Sequence, residues 1–259
     1  MRDLFQGAYY GKRVFITGHT GFKGSWLSLW LNKMGAIVKG YSLPPQPGPN
    51  HWDLLKLDIE SVYGDIRDAE TLENEISKFQ PDIIFHLAAQ AIVRYSYICP
   101  VETYETNIIG TLKLFEACRK VDSVRAIVNV TSDKCYDNKE WIYGYRENDP
   151  MGGHDPYSSS KGCAEILTSS YRNSFWDTDK FDAEHHVLLA SCRAGNVIAG
   201  GDWAQDRLIP DIVRAVANNE NLVIRNPYAT RPWQHVLDPL SGYLLVGQNL
   251  LDQKKLFAK

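Results

Sequence analysis

Apolar positions along the chain fall into short, β-branched runs separated by stretches of helical spacing. Arg13-Val14-Phe15-Ile16-Thr17 reads as a short buried strand, followed at once by a glycine-rich loop. Trp26, Leu27, Leu29, Trp30, Leu31 and Met34 then recur at helical spacing until Gly35 stops the helix. A second strand is predicted from Ala36 to Tyr41, and Pro44, Pro45, Pro47 and Pro49 make the following stretch an irregular loop. A strand end comes at Val62 to Asp68, with Asp68 placed to cap a helix from Ala69 to Phe79. Asp82 to Gln90 is a buried strand, Thr103 to Lys120 a helix, and Ala126-Ile127-Val128 opens a further strand. A helix runs from Pro156 towards Tyr171, Val187 to Arg193 is another buried strand, and a last helix starts near Pro239. This alternation predicts a parallel, doubly wound α/β sheet.

The loop after the first strand, Gly18-His19-Thr20-Gly21-Phe22-Lys23-Gly24, sits where a dinucleotide fingerprint belongs, after a strand and before a helix. Gly18 allows a tight turn, Gly21 lets the backbone approach a pyrophosphate, and Gly24 lets the helix pack close. The helix N-terminus adds amide donors and a positive dipole. A P-loop would need Gly-Lys-Ser in that order, whereas the chain reads Lys23-Gly24-Ser25. These features predict a Rossmann-type dinucleotide site with Thr20, Phe22 and Lys23 in its loop. At the end of the second strand stands Ser42, neither the acid that favours NAD nor an arginine that would favour NADP, so local chemistry leaves that choice open. Asp65 and the backbone at Ile66 are placed to meet an adenine. Leu87, Ala88, Ala89 and Gln90 leave room for the cofactor at the next strand end. Asn107 lies among Ile108, Ile109 and Leu112, either buried and holding the backbone of the catalytic strand or plainly at the surface.

The run that begins at Ala126 ends abruptly in Thr131-Ser132-Asp133-Lys134, and ligands of open α/β sheets bind beyond the carboxyl ends of strands. Taken alone, Ser132 and Asp133 serve equally well as a cap. Downstream, Pro156 suits a helix start, and Tyr157 and Lys161 share one face of that helix a turn apart. A phenol with an unperturbed pKa of about 10 serves as a base near neutrality only beside a cation.

With its net charge of -3 and no long basic run, the chain argues against a nucleic-acid or anionic-membrane surface and leaves a small anionic ligand as the better fit. Its 5 cysteines are widely spaced with no CxxC pair, and only His185 and His186 of its histidines are adjacent, so no metal centre or disulfide framework is expected. There is no apolar run of membrane-spanning length and no signal-like run after Met1, which predicts a cytoplasmic protein with reduced thiols.

In order, Gly18-xx-Gly21-xx-Gly24, Ser132 at a strand end and Tyr157-xxx-Lys161 resemble the extended short-chain dehydrogenase/reductase family. Within it, the strings Thr131 to Tyr136, Asn196 to Trp203 and Arg231 to Val236 are most similar to the nucleotide-sugar 4,6-dehydratases, and Asp133-Lys134 to the branch acting on CDP-glucose. The resemblance implies bound NAD, with Tyr157 as acid/base, Lys161 lowering its pKa and orienting the nicotinamide ribose, and Ser132 hydrogen-bonding the reacting hydroxyl. Tyr157, Lys161, Thr131, Asn107 and the loop residues would contact the cofactor. Asp133 would be the acid of a water elimination and Lys134 its base. A lysine with an ordinary pKa of about 10.4 must lose its proton to play that part, or else stay charged and stabilise an enolate. A salt bridge to Asp133 or Asp137 is the structural alternative.

The same resemblance implies a homodimer or higher homo-oligomer. It also divides the chain into a cofactor domain over 1–193, to which later segments return, and the start of a substrate lid over 194–259. Members normally continue further, so the lid is expected to be incomplete at its C-terminal end. Asn196, Arg207 and Arg231 are the candidates for gripping a nucleotide diphosphate, because a guanidinium holds phosphate oxygens bidentately. A dehydratase with a different nucleotide preference or an epimerase of the same family, or a dinucleotide-binding protein without turnover, are the rival readings; the last would commonly lack Tyr157 and Lys161.

Overall fold

The computed structural model describes residues 1–259. Strand β1 (Arg13–Thr17) carries Val14, Phe15 and Ile16 fully buried, as a parallel sheet covered on both faces requires. Helix α1 (Phe22–Met34) follows, closed by Gly35 at φ 84, where only glycine is at ease. Then come β2 (Ile37–Ser42), the short α2 (His51–Leu55), β3 (Glu60–Tyr63), α3 (Ala69–Phe79) and β4 (Ile83–His86). Asp68 caps α3 by accepting from the Thr71 amide.

Between β4 and β5 (Ala126–Val130) the predicted single helix is broken into pieces. Helices α4 (Val93–Ile98) and α5 (Pro100–Tyr104) precede a π-helical turn over Glu105–Ile109, and only then does α6 (Gly110–Arg119) run. Such wide turns favour functional positions, and this one holds Asn107. Helix α7 (Pro156–Phe175) has Asp155 as its cap, accepting from the Ser158 amide at 2.9 Å, and Pro156 in its first turn. Strand β6 (Leu188–Cys192) completes the sheet.

The six strands lie parallel in the order β3-β2-β1-β4-β5-β6. The order reverses between β1 and β4, and that switch point opens a crevice beyond their carboxyl ends. One face of the sheet buries Leu27, Leu31 and Met34 of α1; the other buries Leu72, Ile76, Leu114 and Phe115 of α3 and α6.

The remainder splits. Strands β7 (Asn196–Ile198) and β8 (Trp233–His235) pair in parallel, with α8 (Leu208–Asn218) between them, and make a small separate layer. Helix α9 (Leu237–Leu251) instead packs back on the sheet, burying Leu240, Tyr243, Leu244 and Leu250 in the cluster that holds Val14 and Val128. The layer beside the sheet is therefore β7-α8-β8, and α9 belongs to the sheet domain. No helix is long and apolar enough to cross a membrane.

Candidate active site

A cleft of about 1030 Å³ lies over the carboxyl ends of β1, β4 and β5 and under the β7-α8-β8 layer. The loop after β1 forms one wall through Gly18, Gly21, Phe22, Lys23 and Gly24, with Leu87 and Ala89 beside it. Its floor holds Thr131, Ser132, Asp133, Lys134, Tyr157 and Lys161, and its roof carries Asn196, Arg207 and Arg231. Residues from distant parts of the sequence thus meet in one place.

The glycine loop has the shape a dinucleotide needs. Gly18 sits at φ +76, and a Cβ there would come within 2.7 Å of the Ala88 amide nitrogen. At Gly24 a Cβ would meet the Gly18 carbonyl oxygen at 2.0 Å, so α1 can press against the turn only with glycine in that place. Gly21 is the residue before the first turn of α1 and faces the cleft, so the helix amides are open to a pyrophosphate. Burial, and the neighbouring Lys161 and Arg207 cations, bring the Lys23 ammonium down to about 8.

Other residues proposed for the cofactor lie outside the cleft lining, each with a partner. Thr20 Oγ1 meets Ser42 Oγ at 2.8 Å and donates to the Leu43 carbonyl at 2.9 Å. The Asp65 carboxylate is taken by Arg67, with Nη2 at 2.6 Å, which holds it below the usual carboxylate range. Ile66 is buried against Gly110, and the Ala88 amide donates to Thr17 Oγ1 at 3.2 Å. Gln90 uses its side chain to donate to Thr103 and to accept from the Ile92 amide.

Asn107 is buried, and it does hold backbone, though not that of the catalytic strand. Its Oδ1 accepts from the Gln90 amide at 2.8 Å, and its Nδ2 donates to the Gln90 carbonyl at 3.0 Å and to Ser160 Oγ at 2.8 Å. It therefore ties the segment after β4 to α7. Beneath it runs a buried chain that the sequence did not suggest: Thr17 Oγ1 to His86 Nδ1 at 2.6 Å, and His86 Nε2 to Thr111 Oγ1 at 2.9 Å. Burial keeps His86 neutral, down to about 3.

At the floor, Ser132 caps a turn and lines the cleft. Its Oγ accepts from the Lys134 amide at 3.3 Å, capping a short turn over Asp133–Cys135, and donates to Asp133 Oδ1 at 3.1 Å while facing the cleft. Burial pushes the Tyr157 phenol up; hydrogen bonding with Ser132 and the Arg207 charge oppose that, while Asp133 adds to it.

Lys161 lies buried at the floor, one turn along α7 from Tyr157. Its Nζ donates to the Val130 carbonyl at 3.4 Å, and burial brings it down to about 8. The Arg207 charge in the roof opposes the rise of the phenol, and Lys161 grips the end of β5. Lys134 makes no ion pair: Asp137 pairs with Lys139 and Asp133 accepts from Ser132. In the roof, Arg207 is paired with Asp202 at 2.9 Å, and Arg231 donates to the Thr230 carbonyl at 2.6 Å.

Residues 15–257 match the family model described as GDP-mannose 4,6 dehydratase. The chain is 59% identical to a CDP-glucose 4,6-dehydratase of Salmonella typhimurium over 253 residues, 97% of this chain and 70% of that relative. Among solved structures, an epimerase of Methanothermobacter thermautotrophicus is similar at a TM-score of 0.81 and 28% identity, over 95% of this chain and 70% of that one. A dTDP-glucose 4,6-dehydratase of Streptomyces venezuelae, solved with NAD bound, is similar at a TM-score of 0.80 and 24% identity, over 91% of this chain and 72% of that one; at that identity the likeness is one of fold.

Proposed function

The chain belongs to the GDP-mannose 4,6 dehydratase family, and from that premise we propose that it converts CDP-glucose to CDP-4-keto-6-deoxyglucose with NAD. The observation that carries this reading is the meeting, in one cleft, of a buried phenol and an adjacent acid and amine. Tyr157 suits hydride chemistry, and Asp133-Lys134 suits elimination. The 59% identity to the Salmonella CDP-glucose enzyme supports the choice of sugar nucleotide.

The steps follow from the groups present. When bound, NAD supplies reversible hydride chemistry, accepting at carbon 4 of the glucose and giving back at carbon 6. Tyr157 takes the proton of the 4-hydroxyl as that carbon is oxidised, with Ser132 holding the same oxygen. The 4-ketone acidifies the proton on carbon 5. Lys134, as the neutral amine, takes that proton while Asp133, in its acid form, protonates the departing 6-hydroxyl, so water leaves across carbons 5 and 6; Lys134 then returns the proton to carbon 5 as carbon 6 receives hydride. Tyr157 and Lys161 remain buried beneath these groups and keep the cofactor end of the cleft dry. Gly18, Gly21, Gly24 and Lys23 would hold the dinucleotide, and Asn196, Arg207 and Arg231 the sugar-nucleotide diphosphate.

Exposed Tyr97, Ile98 and Val101 on α4 and α5, with Ile166 on α7, support a homodimer through that face. Sedimentation as a monomer at micromolar concentration would remove that part of the reading. The reaction itself is tested by incubating the protein with CDP-glucose and NAD and following the alkali-induced absorbance of a 4-keto sugar. Turnover of CDP-glucose is expected; turnover of dTDP-glucose in its place would overturn the substrate assignment.

A further inference from the structure

Behind the floor of the cleft lies a charged cluster that the reaction above does not use. Glu165 sits on α7 one turn beyond Lys161 and is buried. Thr131 donates its hydroxyl to Glu165 Oε1; Ser191 Oγ and Arg193 Nη2 both donate to Oε2 at 2.8 Å. Arg193 reaches on, its Nη1 donating to the Tyr136 hydroxyl at 2.8 Å and to the Glu147 carbonyl at 2.9 Å, with its guanidinium 4.9 Å from the centre of the Tyr136 ring.

Successive turns of one helix therefore grip successive residues of the strand end, Lys161 on Val130 and Glu165 on Thr131. Through Arg193 the grip extends past Asp133 and Lys134 to Tyr136 on their far side. The two elimination residues are held at both ends of their turn, and both holds converge on one carboxylate. Burial raises the Glu165 carboxyl, but Arg193, Thr131 and Ser191 outweigh it and hold the group below the usual carboxylate range, so the clamp carries a charge.

We propose that Glu165 is a positioning residue for the elimination step, fixing Asp133 and Lys134 relative to Tyr157 by clamping Thr131, Ser191 and Arg193 together. This rests on the reading of the chain as a 4,6-dehydratase. A displacement of about 1 Å in a reacting group can cost about 100-fold in rate, and a slack clamp would free the strand end that carries Asp133 and Lys134 while leaving the first turn of α7, which holds the phenol, capped by Asp155. Loss of Glu165 should therefore slow elimination more than oxidation.

The test compares Glu165→Gln, Arg193→Met and the double variant in single turnovers with CDP-glucose and bound NAD. Oxidation is read as absorbance of reduced cofactor, and elimination as formation of the 4-keto-6-deoxy product. Reduced cofactor should accumulate transiently, elimination should fall about 100-fold with oxidation falling far less, and the double variant should be no worse than the worse single one. Equal loss in both steps, or additive losses, would overturn the proposal. Tyr136→Phe removes only the far hydroxyl of the clamp and is expected to show a smaller effect of the same kind if the larger variants do not fold; the same partition decides there. If the parent leaves CDP-glucose unchanged, the assigned reaction fails and backbone hydrogen exchange judges the clamp alone. Selective loss of protection over residues 131–147 in Glu165→Gln, with β1 and β2 unaffected, supports it, and unchanged protection overturns it.

Discussion

The floor and the roof of the cleft treat their polar groups in opposite ways. Groups at and behind the floor are buried and tied down: Lys161 on a carbonyl, Glu165 among its donors, Ser132 between Asp133 and the Lys134 amide. Roof arginines stay partly exposed, 34% for Arg207 and 48% for Arg225, and pair with aspartates of their own layer, Asp202 and Asp206. A tied group is already in its reacting geometry, and its contribution appears in the rate of a chemical step. An exposed arginine must exchange one anionic partner for another when a diphosphate arrives, so its contribution appears chiefly in binding.

The sharpest break of that contrast is Tyr157→Phe. Removing the phenolic hydroxyl deletes one acid/base and little volume, so oxidation at carbon 4 should fall about 10³-fold while the fold and CDP-glucose affinity stay close to the parent's. Single-turnover cofactor reduction and equilibrium titration measure the two halves. A comparable rise in Kd would make the floor a binding surface. Lys134→Met should follow with about a 10²-fold loss confined to elimination. Lys134→Arg then separates two roles, since an arginine keeps the charge but stays protonated: elimination at the parent's rate would make the residue a cation for the enolate.

Arg207 is where the contrast is weakest, because its charge reaches the phenol below. Arg207→Gln should raise KM for CDP-glucose about tenfold, through loss of a charge-assisted phosphate contact. It should also move a rate. The Arg207 cation favours the phenolate, so its removal lets burial push Tyr157 higher still, and the limb of the kcat profile that reports this base shifts to higher pH. Arg231→Gln should raise KM and leave that limb where it was. Identical limbs in both variants would mean that the roof does not reach the chemistry.

What was legible in the sequence divides along similar lines. The glycine loop, the apolar strands and the Asp68 and Asp155 caps answer to local backbone demands, and their signals lie within a few residues of the structures they specify. The clamp was not legible, because Glu165 finds its partners at 131, 191 and 193 only after three elements have packed. The same reason explains Asn107, whose buried character was open and whose partner proved to be Gln90 in the segment after β4. Helical spacing also continues through a π-helical turn, so the interruption at Glu105–Ile109 left no mark in the periodicity. Asp65 is a different case: Arg67, two positions on, was in plain view as a competitor for its carboxylate.

Stability, read without any turnover, should also separate the buried network near the floor from the roof, in different pH windows. His86 is neutral in the fold down to about 3, whereas an unfolded chain protonates it near 6.5. Between those values the unfolded state binds the extra proton, so stability falls as pH is lowered, by up to about 1.4 kcal/mol per pH unit for this one group. In the roof, hydrogen bonds from Arg225 and Arg94 hold the Asp206 carboxyl below its ordinary 3.8. Its contribution is present above that value and is lost only as pH falls through the lowered one. The pair is partly exposed, so Asp206→Asn should cost about 0.2–1 kcal/mol at neutral pH. Urea denaturation from pH 7 to pH 4 measures both: Asp206→Asn should leave the slope over that range unchanged, and His86→Gln should make it shallower by about one proton. A slope altered by Asp206→Asn would mean that the roof shares the buried polar network of the floor.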